Sequence, residues 1–166
     1  MKRPMLLLLI VLIPIFSCNE RTDQVESINV DLTYTDSLTV QLPGFLIAPT
    51  GDTVQTLPET DVILYYWLPL ERYDEMQDDL RFLASLDTFY LVLPVQPDHE
   101  SRNHAQRVVN NMEISLPVYL ADSAVMEIID TGILPSCLIL TPEGEEISGS
   151  GFGAPSRLLA SIQSRN

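Results

Sequence analysis

Two hydrophobic periods alternate along this chain. Apolar residues recur at every second position in INVDLTY (28 to 34; Ile28, Val30, Leu32) and SLTVQL (37 to 42; Leu38, Val40, Leu42). With Thr35, Asp36 and Ser37 as turn material between them, the pattern predicts a β-hairpin. FLIAPTGDTVQTL (45 to 57) predicts a second hairpin that turns at Thr50, Gly51 and Asp52. The run DVILYYW (61 to 67) is apolar enough to be covered on both faces, as a central strand of a layered sheet is. Beyond it the period changes. Tyr73, Met76, Leu80 and Leu83 lie three, four and three apart, predicting a helix from about Glu71 to Ala84 with Asp78, Asp79 and Arg81 facing water.

The alternation continues to the end of the sequence. FYLVLPV (89 to 95) predicts a second buried strand, 100 to 111 a weakly amphipathic helix and LPVYLA (116 to 121) a short strand. SAVMEIID (123 to 130) predicts a short helix with Ser123 as its N-cap. SCLILT (136 to 141), the turn at Pro142, Glu143, Gly144 and Glu145, and EISGSG predict a further hairpin, and PSRLLASIQ (155 to 163) a last helix. Strands alternating with helices, then a hairpin and a helix, predict an α/β domain: a three-layer sandwich with a mixed central sheet and an N-terminal β-hairpin extension. No internal repeat or low-complexity segment interrupts it.

Length and charge narrow the partners. A chain of 166 residues, 46% of them hydrophobic, suits one domain with a real core. A formal net charge of −14 repels a phosphate backbone, so nucleic acid is not an expected partner. At the N-terminus, Lys2 and Arg3 precede an apolar stretch from Met5 to Phe16, well short of the roughly 20 residues a membrane span needs. This reads as the h-region of a signal peptide, and Ser17-Cys18 resembles the cleavage point of a bacterial lipoprotein, although Phe16 is bulkier than is usual there. The expected organisation is a signal peptide over 1–17, a lipidated Cys18 and a flexible tether over 18–27, and a folded domain over 28–166. The expected location is the cell envelope, with the membrane reached through the lipid on Cys18, since the acidic body has no attraction for an anionic surface. Cys137 is then the one remaining cysteine, and no internal disulfide is possible in the mature protein.

Three features in order resemble the thioredoxin-like fold, in particular its membrane-anchored, cytochrome-maturation-type branch and the related thiol peroxidases. They are the strand VILYYW entering a helix, ILPSCLIL (133 to 140) with Leu134-Pro135 at the place of the family's usually cis proline, and TPEGEEISGSGF (141 to 152) as the hairpin before the last helix. The resemblance spans about Phe45 to Gln163. It implies a redox turn four residues after Trp67, where active relatives carry Cys-x-x-Cys. Here Glu71 and Asp74 stand at the two cysteine positions. Thiol-disulfide exchange needs a thiolate and a resolving thiol, and neither is present at that turn. Two first-turn carboxylates are explained instead by the positive end of the helix macrodipole.

The candidate residues follow. The resemblance implies a docking surface for extended polypeptide made of Trp67, Pro69, Leu70 and Tyr73 together with Leu134 and Pro135, flanked by Glu71 and Asp74. Cys137, two residues beyond Pro135 on a central strand, is expected to be buried and inert; as a nucleophile it would need exposure and a cationic neighbour. His99 and His104 lie five apart, so they do not share a helix face, and they read as surface residues. No cofactor and no metal site are expected. The leading reading is a redox-inactive thioredoxin-like envelope lipoprotein that binds a protein or peptide. The alternatives are an oxidoreductase or peroxidase acting through Cys137, and an acidic metal-binding module using His99, His104 and nearby carboxylates.

Overall fold

The computed structural model describes residues 39–70, 74–86, 88–129 and 132–164. The signal segment, the tether, the strand predicted over 28–34 and the residues Glu71 and Tyr73 lie outside that set. The described elements are β1 (Val40–Ile47), β2 (Thr53–Leu57), β3 (Val62–Tyr66), α1 (Asp74–Leu86), β4 (Leu91–Gln96), α2 (His99–Asn111), β5 (Tyr119–Ala121), α3 (Ser123–Ile128), β6 (Ser136–Leu140), β7 (Glu146–Ser150) and α4 (Ala154–Gln163).

The strands form one mixed sheet in the order β2-β1-β5-β4-β3-β6-β7. β3 pairs in parallel with β4 and antiparallel with β6, and β4 pairs in parallel with β5. Central position explains the composition of β3: Val62, Ile63, Leu64 and Tyr65 are all buried. Strand alternation sends Ile63, Tyr65 and Trp67 into a core shared with Met76, Leu80 and Leu83 of α1, Val108 and Val109 of α2, and Leu159 of α4. Val62 and Leu64 face the other way, into a core with Leu46, Leu57 and Val125 of α3. The sheet therefore lies between two helical layers, the three-layer α/β sandwich of the thioredoxin-like fold. Each fully buried Leu, Ile or Val contributes about 1.5–3 kcal/mol, so these two cores carry most of the folding free energy.

Several local expectations are corrected. The two predicted hairpins do not separate at Pro43-Gly44: β1 runs continuously through both residues and pairs with β2 on one side and β5 on the other. A register shift between Gln41 and Leu46 accommodates Pro43, which cannot donate to a regular ladder. Among the described residues α1 begins at Asp74 and continues to Leu86, past the predicted end at Ala84. Asp122, not Ser123, caps α3, its carboxylate accepting the Val125 N–H at 2.9 Å. The strands predicted from Phe89 and Leu116 start later, at Leu91 and Tyr119, leaving Phe89 exposed.

Gly44 and the α3 cap are coupled by contact. A Cβ on Gly44 would overlap both carboxylate oxygens of Asp122. We expect Gly44→Ala to lower stability by about 1–3 kcal/mol and Asp122→Ala by about 1 kcal/mol. The double variant should lose less than the sum, because truncating Asp122 removes the obstacle. Urea unfolding of the four proteins checks this, and strict additivity would contradict it.

Candidate functional site

Registry brings three chain segments to one end of the sheet. β3 and β6 are antiparallel with Tyr66 opposite Ser136, so the segment after β3 meets the segment before β6. Ser136 also pairs with Ser150, which adds the turn between β7 and α4. The segments Trp67–Leu70, Ile133–Pro135 and Ser150–Gly153 thus converge beside the first turn of α1. The peptide bond Leu134-Pro135 is cis.

Each segment is held by named bonds. Gln96, itself buried, donates from Nε2 to the Trp67 carbonyl at 2.8 Å, extending the contact of β3 and β4 one residue past their ladder. The Leu70 N–H donates to the Leu68 carbonyl across Pro69 at 2.7 Å, a tight turn that leaves Leu68 and Leu70 exposed. The Trp67 indole stacks on Tyr65 with ring centroids 5.6 Å apart. Its Nε1–H is the one buried side-chain polar atom without a partner among the described residues. On the third segment, Arg157 of α4 donates to the carbonyls of Phe152 and Ser150.

A cavity of about 200 Å³ opens where these segments meet, lined by Trp67, Leu68, Leu70, Met76, Leu134, Pro135 and Phe152. Leu68 is 51% exposed, Leu70 45% and Phe152 39%, and Ile133, the residue before Leu134, is 63% exposed. Only two other large hydrophobic side chains, Phe45 and Phe89, are exposed among the described residues, so exposed apolar surface concentrates at this mouth. Small-molecule sites run to roughly 300–1,000 Å³, so this one fits a single large apolar side chain better than a cofactor.

The cavity unites four of the sequence-predicted residues: Trp67, Leu70, Leu134 and Pro135. Pro69 is half-buried between its two exposed neighbours and does not line it. Asp74 is exposed at the start of α1, while Glu71 and Tyr73 lie outside the described residues. Leu68, Met76 and Phe152 complete the wall and were not foreseen. Phe152 ends the quoted stretch TPEGEEISGSGF, and Met76 belongs to the helical stripe, so both were visible without being assigned to the site.

Asp79 is the main correction. Expected to face water, it is only 5% exposed. Its carboxylate accepts the Tyr65 O–H at 3.2 Å and the Gly153 N–H at 3.0 and 3.1 Å, linking α1, β3 and the start of α4. The sequence carried a signal: position 79 lies three after Met76 and four before Leu83, inside the apolar stripe rather than opposite it. Burial pushes its carboxyl above the ordinary 3.8, an effect opposed but not cancelled by the bonds from Gly153 and Tyr65 and by the Arg157 charge. Burial, with the Asp79 charge added, likewise drives the Tyr65 hydroxyl upward.

Cys137 pairs with Tyr65 across the β3–β6 ladder and is 1% exposed. Burial and then the Asp79 charge push its thiol up to about 12. The thiolate fraction at pH 7 is then on the order of 10⁻⁵, the opposite of an activated nucleophile. His99 is exposed at the start of α2 and His104 is half-buried one turn on. Among the described residues no three His, Cys, Asp or Glu side chains form a group able to hold a metal ion. No helix among them is long and apolar enough to cross a membrane.

No protein-family model matches the sequence, and no curated protein matches it. Solved structures do. A secreted Mycobacterium tuberculosis disulfide oxidoreductase homologous to E. coli DsbE aligns at TM-score 0.55 and 10% identity, over 74% of this chain and 96% of that one. The exposed lipoprotein thioredoxin Etrx1 of Streptococcus pneumoniae aligns at TM-score 0.54 and 19% identity, over 72% and 97%. The Xanthomonas campestris bacterioferritin comigratory protein, described for alkyl peroxide reduction, aligns at 0.53 and 13%, over 74% and 90%. At these identities the likeness establishes the thioredoxin-like fold and nothing finer.

Asp79 gives a pH prediction. A carboxyl whose folded value lies above its unfolded one adds stability that is complete below about 3.8 and is lost as pH rises through the folded value. Asp79→Asn keeps an acceptor oxygen for Gly153 and does not titrate. The stability of wild type minus that of Asp79→Asn should therefore fall from pH 4 to pH 7.5 in urea unfolding. A difference that grows with pH would show a lowered carboxyl and contradict the assignment.

Proposed function

We propose that this chain is a redox-inactive thioredoxin-like envelope lipoprotein that binds an extended protein or peptide segment, seating one apolar side chain in the cavity between Trp67 and Pro135. The observation that carries the reading is the cavity itself: apolar, open to solvent and edged by exposed Leu68, Leu70 and Phe152. Exposed apolar side chains gathered around a pocket are stabilised by a partner that covers them. The unpartnered indole N–H of Trp67 adds a donor that a docked chain carbonyl would satisfy if the ring yields slightly. Pro69, Glu71, Tyr73 and Asp74 belong to the same proposed surface as its rim.

Redox inactivity is supported by the sequence and by burial. The chain has two cysteines, Cys18 and Cys137, with no Cys-x-x-Cys pair, and Glu71 and Asp74 stand where the resemblance puts one. The names of the structural neighbours favour the second reading, thiol-disulfide or peroxide chemistry through Cys137. That reading requires a buried thiol to work from inside the sheet, against its raised pKa. Envelope location rests on the N-terminal pattern: a signal peptide over 1–17, lipid on Cys18 and a tether over 18–27 ahead of the domain over 28–166.

The test uses the full chain in non-ionic detergent and a fluorescein-labelled Gly/Ser peptide with one central Phe. Leu68→Ser/Leu70→Ser should bind about tenfold more weakly than wild type, with unfolding stability within about 0.5 kcal/mol because both side chains are exposed. The same preparation should neither reduce insulin disulfides nor consume peroxide. Activity that disappears in Cys137→Ser would overturn the proposal in favour of thiol catalysis.

A further inference from the structure

Resting on that reading, we infer that the docked segment carries a Lys or Arg two positions from its apolar anchor, and that this basic side chain lies in an acidic recess separated from the cavity by Phe152. Phe152 lines both spaces. Besides the cavity it lines a recess of about 410 Å³ together with Glu75, Asp78, Phe82 and Ser156. Glu75 and Asp78 lie three apart on one face of α1 and are exposed, so a ligand reaches both carboxylates from solvent. Asp79 also borders the recess, but its oxygens are engaged by Tyr65 and Gly153.

The nearby cations do not fill this role. Arg81 pairs with Asp78 at 3.6 Å across an exposed i,i+3 contact, the kind that competes weakly with other partners. Arg157 is turned to the carbonyls of Ser150 and Phe152. The chain as a whole carries −14, so its field attracts basic segments and repels acidic ones. A long basic side chain suits the lining: its methylenes pack on Phe82 and Phe152, and its charge gains from the aromatic rings and from the carboxylates. An extended chain puts same-side residues about 7 Å apart. That spacing lets side chains i and i+2 straddle one aromatic wall.

The experiment compares four labelled peptides in a Gly/Ser background, bearing Phe-Ser-Arg, Phe-Ser-Ser, Phe-Ser-Glu or Ser-Ser-Arg, by fluorescence anisotropy on the full chain in non-ionic detergent. Phe-Ser-Arg should bind about threefold or more tighter than Phe-Ser-Ser and tighter still than Phe-Ser-Glu. The ratio of Phe-Ser-Arg to Phe-Ser-Ser affinity should fall towards one in Glu75→Gln/Asp78→Asn and in high salt. Equal binding of all three Phe peptides, or a ratio unchanged in the double variant, would overturn the inference and leave the apolar site standing. Phe peptides that bind no better than Ser-Ser-Arg would overturn the binding reading itself.

Discussion

A carboxylate held inside the protein ties together the elements from which the candidate site is built. Asp79 reaches from α1 to the Tyr65 hydroxyl on β3 and to the Gly153 N–H at the start of α4. Placing a carboxyl there costs desolvation, which is why its pKa rises. The positive end of α4 and the Arg157 guanidinium offset part of that cost. Gly153 takes a left-handed conformation at φ 74°, and in that conformation its N–H meets the Asp79 oxygens. The residue before it is Phe152. Fixing Gly153 therefore fixes the aromatic wall between the cavity and the acidic recess.

The other walls are placed by the sheet. Ladder registers set Trp67 beside the loop that enters β6, and Gln96 holds the Trp67 carbonyl after the ladder ends. Within this frame the surface chemistry is one-sided. Interior positions where β3 and β6 feed the site are filled by Tyr65, Trp67 and Cys137, which belong to one core and expose almost nothing. Outward positions carry Leu68, Leu70, Ile133 and Phe152. The proposed ligand, a segment both apolar and basic, is the complement of an apolar mouth on an otherwise strongly acidic chain. The same arrangement leaves Cys137, the only described cysteine, buried.

Element order was legible because β3, β4 and β6 are buried on both faces and read as continuous apolar runs, whereas α1 reads at helical spacing. The burial of Cys137 followed from its place on a central strand and is seen. Ends of elements were less legible, since Asp122 and Ser123 both suit an N-cap and only the bond to the Val125 N–H distinguishes them. Pro43 and Gly44 fall between the two predicted hairpins, and a proline and a glycine weaken a strand locally; the pairing of β1 on both sides outweighs that preference. Asp79 was misplaced for a different reason. A charged residue in an apolar stripe is normally assigned to solvent, and its partners Tyr65 and Gly153 lie 14 and 74 residues away in sequence. Phe152 depends on the same long-range contact, so the recess it shares with Glu75 and Asp78 was not foreseeable from local pattern.

The chain has a single tryptophan, so one indole N–H resonance reports directly on the wall of the cavity. The most direct measurement is a titration of the ¹⁵N-labelled chain with an extended peptide bearing one Phe and one Arg, following that resonance and the backbone amides. The account predicts that the Trp67 indole signal shifts on binding, together with the amides of Leu68, Leu70 and Gly153. An indole signal that stays in place while amides along the outer edge of β2 or β7 move would contradict it, and would transfer the binding surface to a sheet edge.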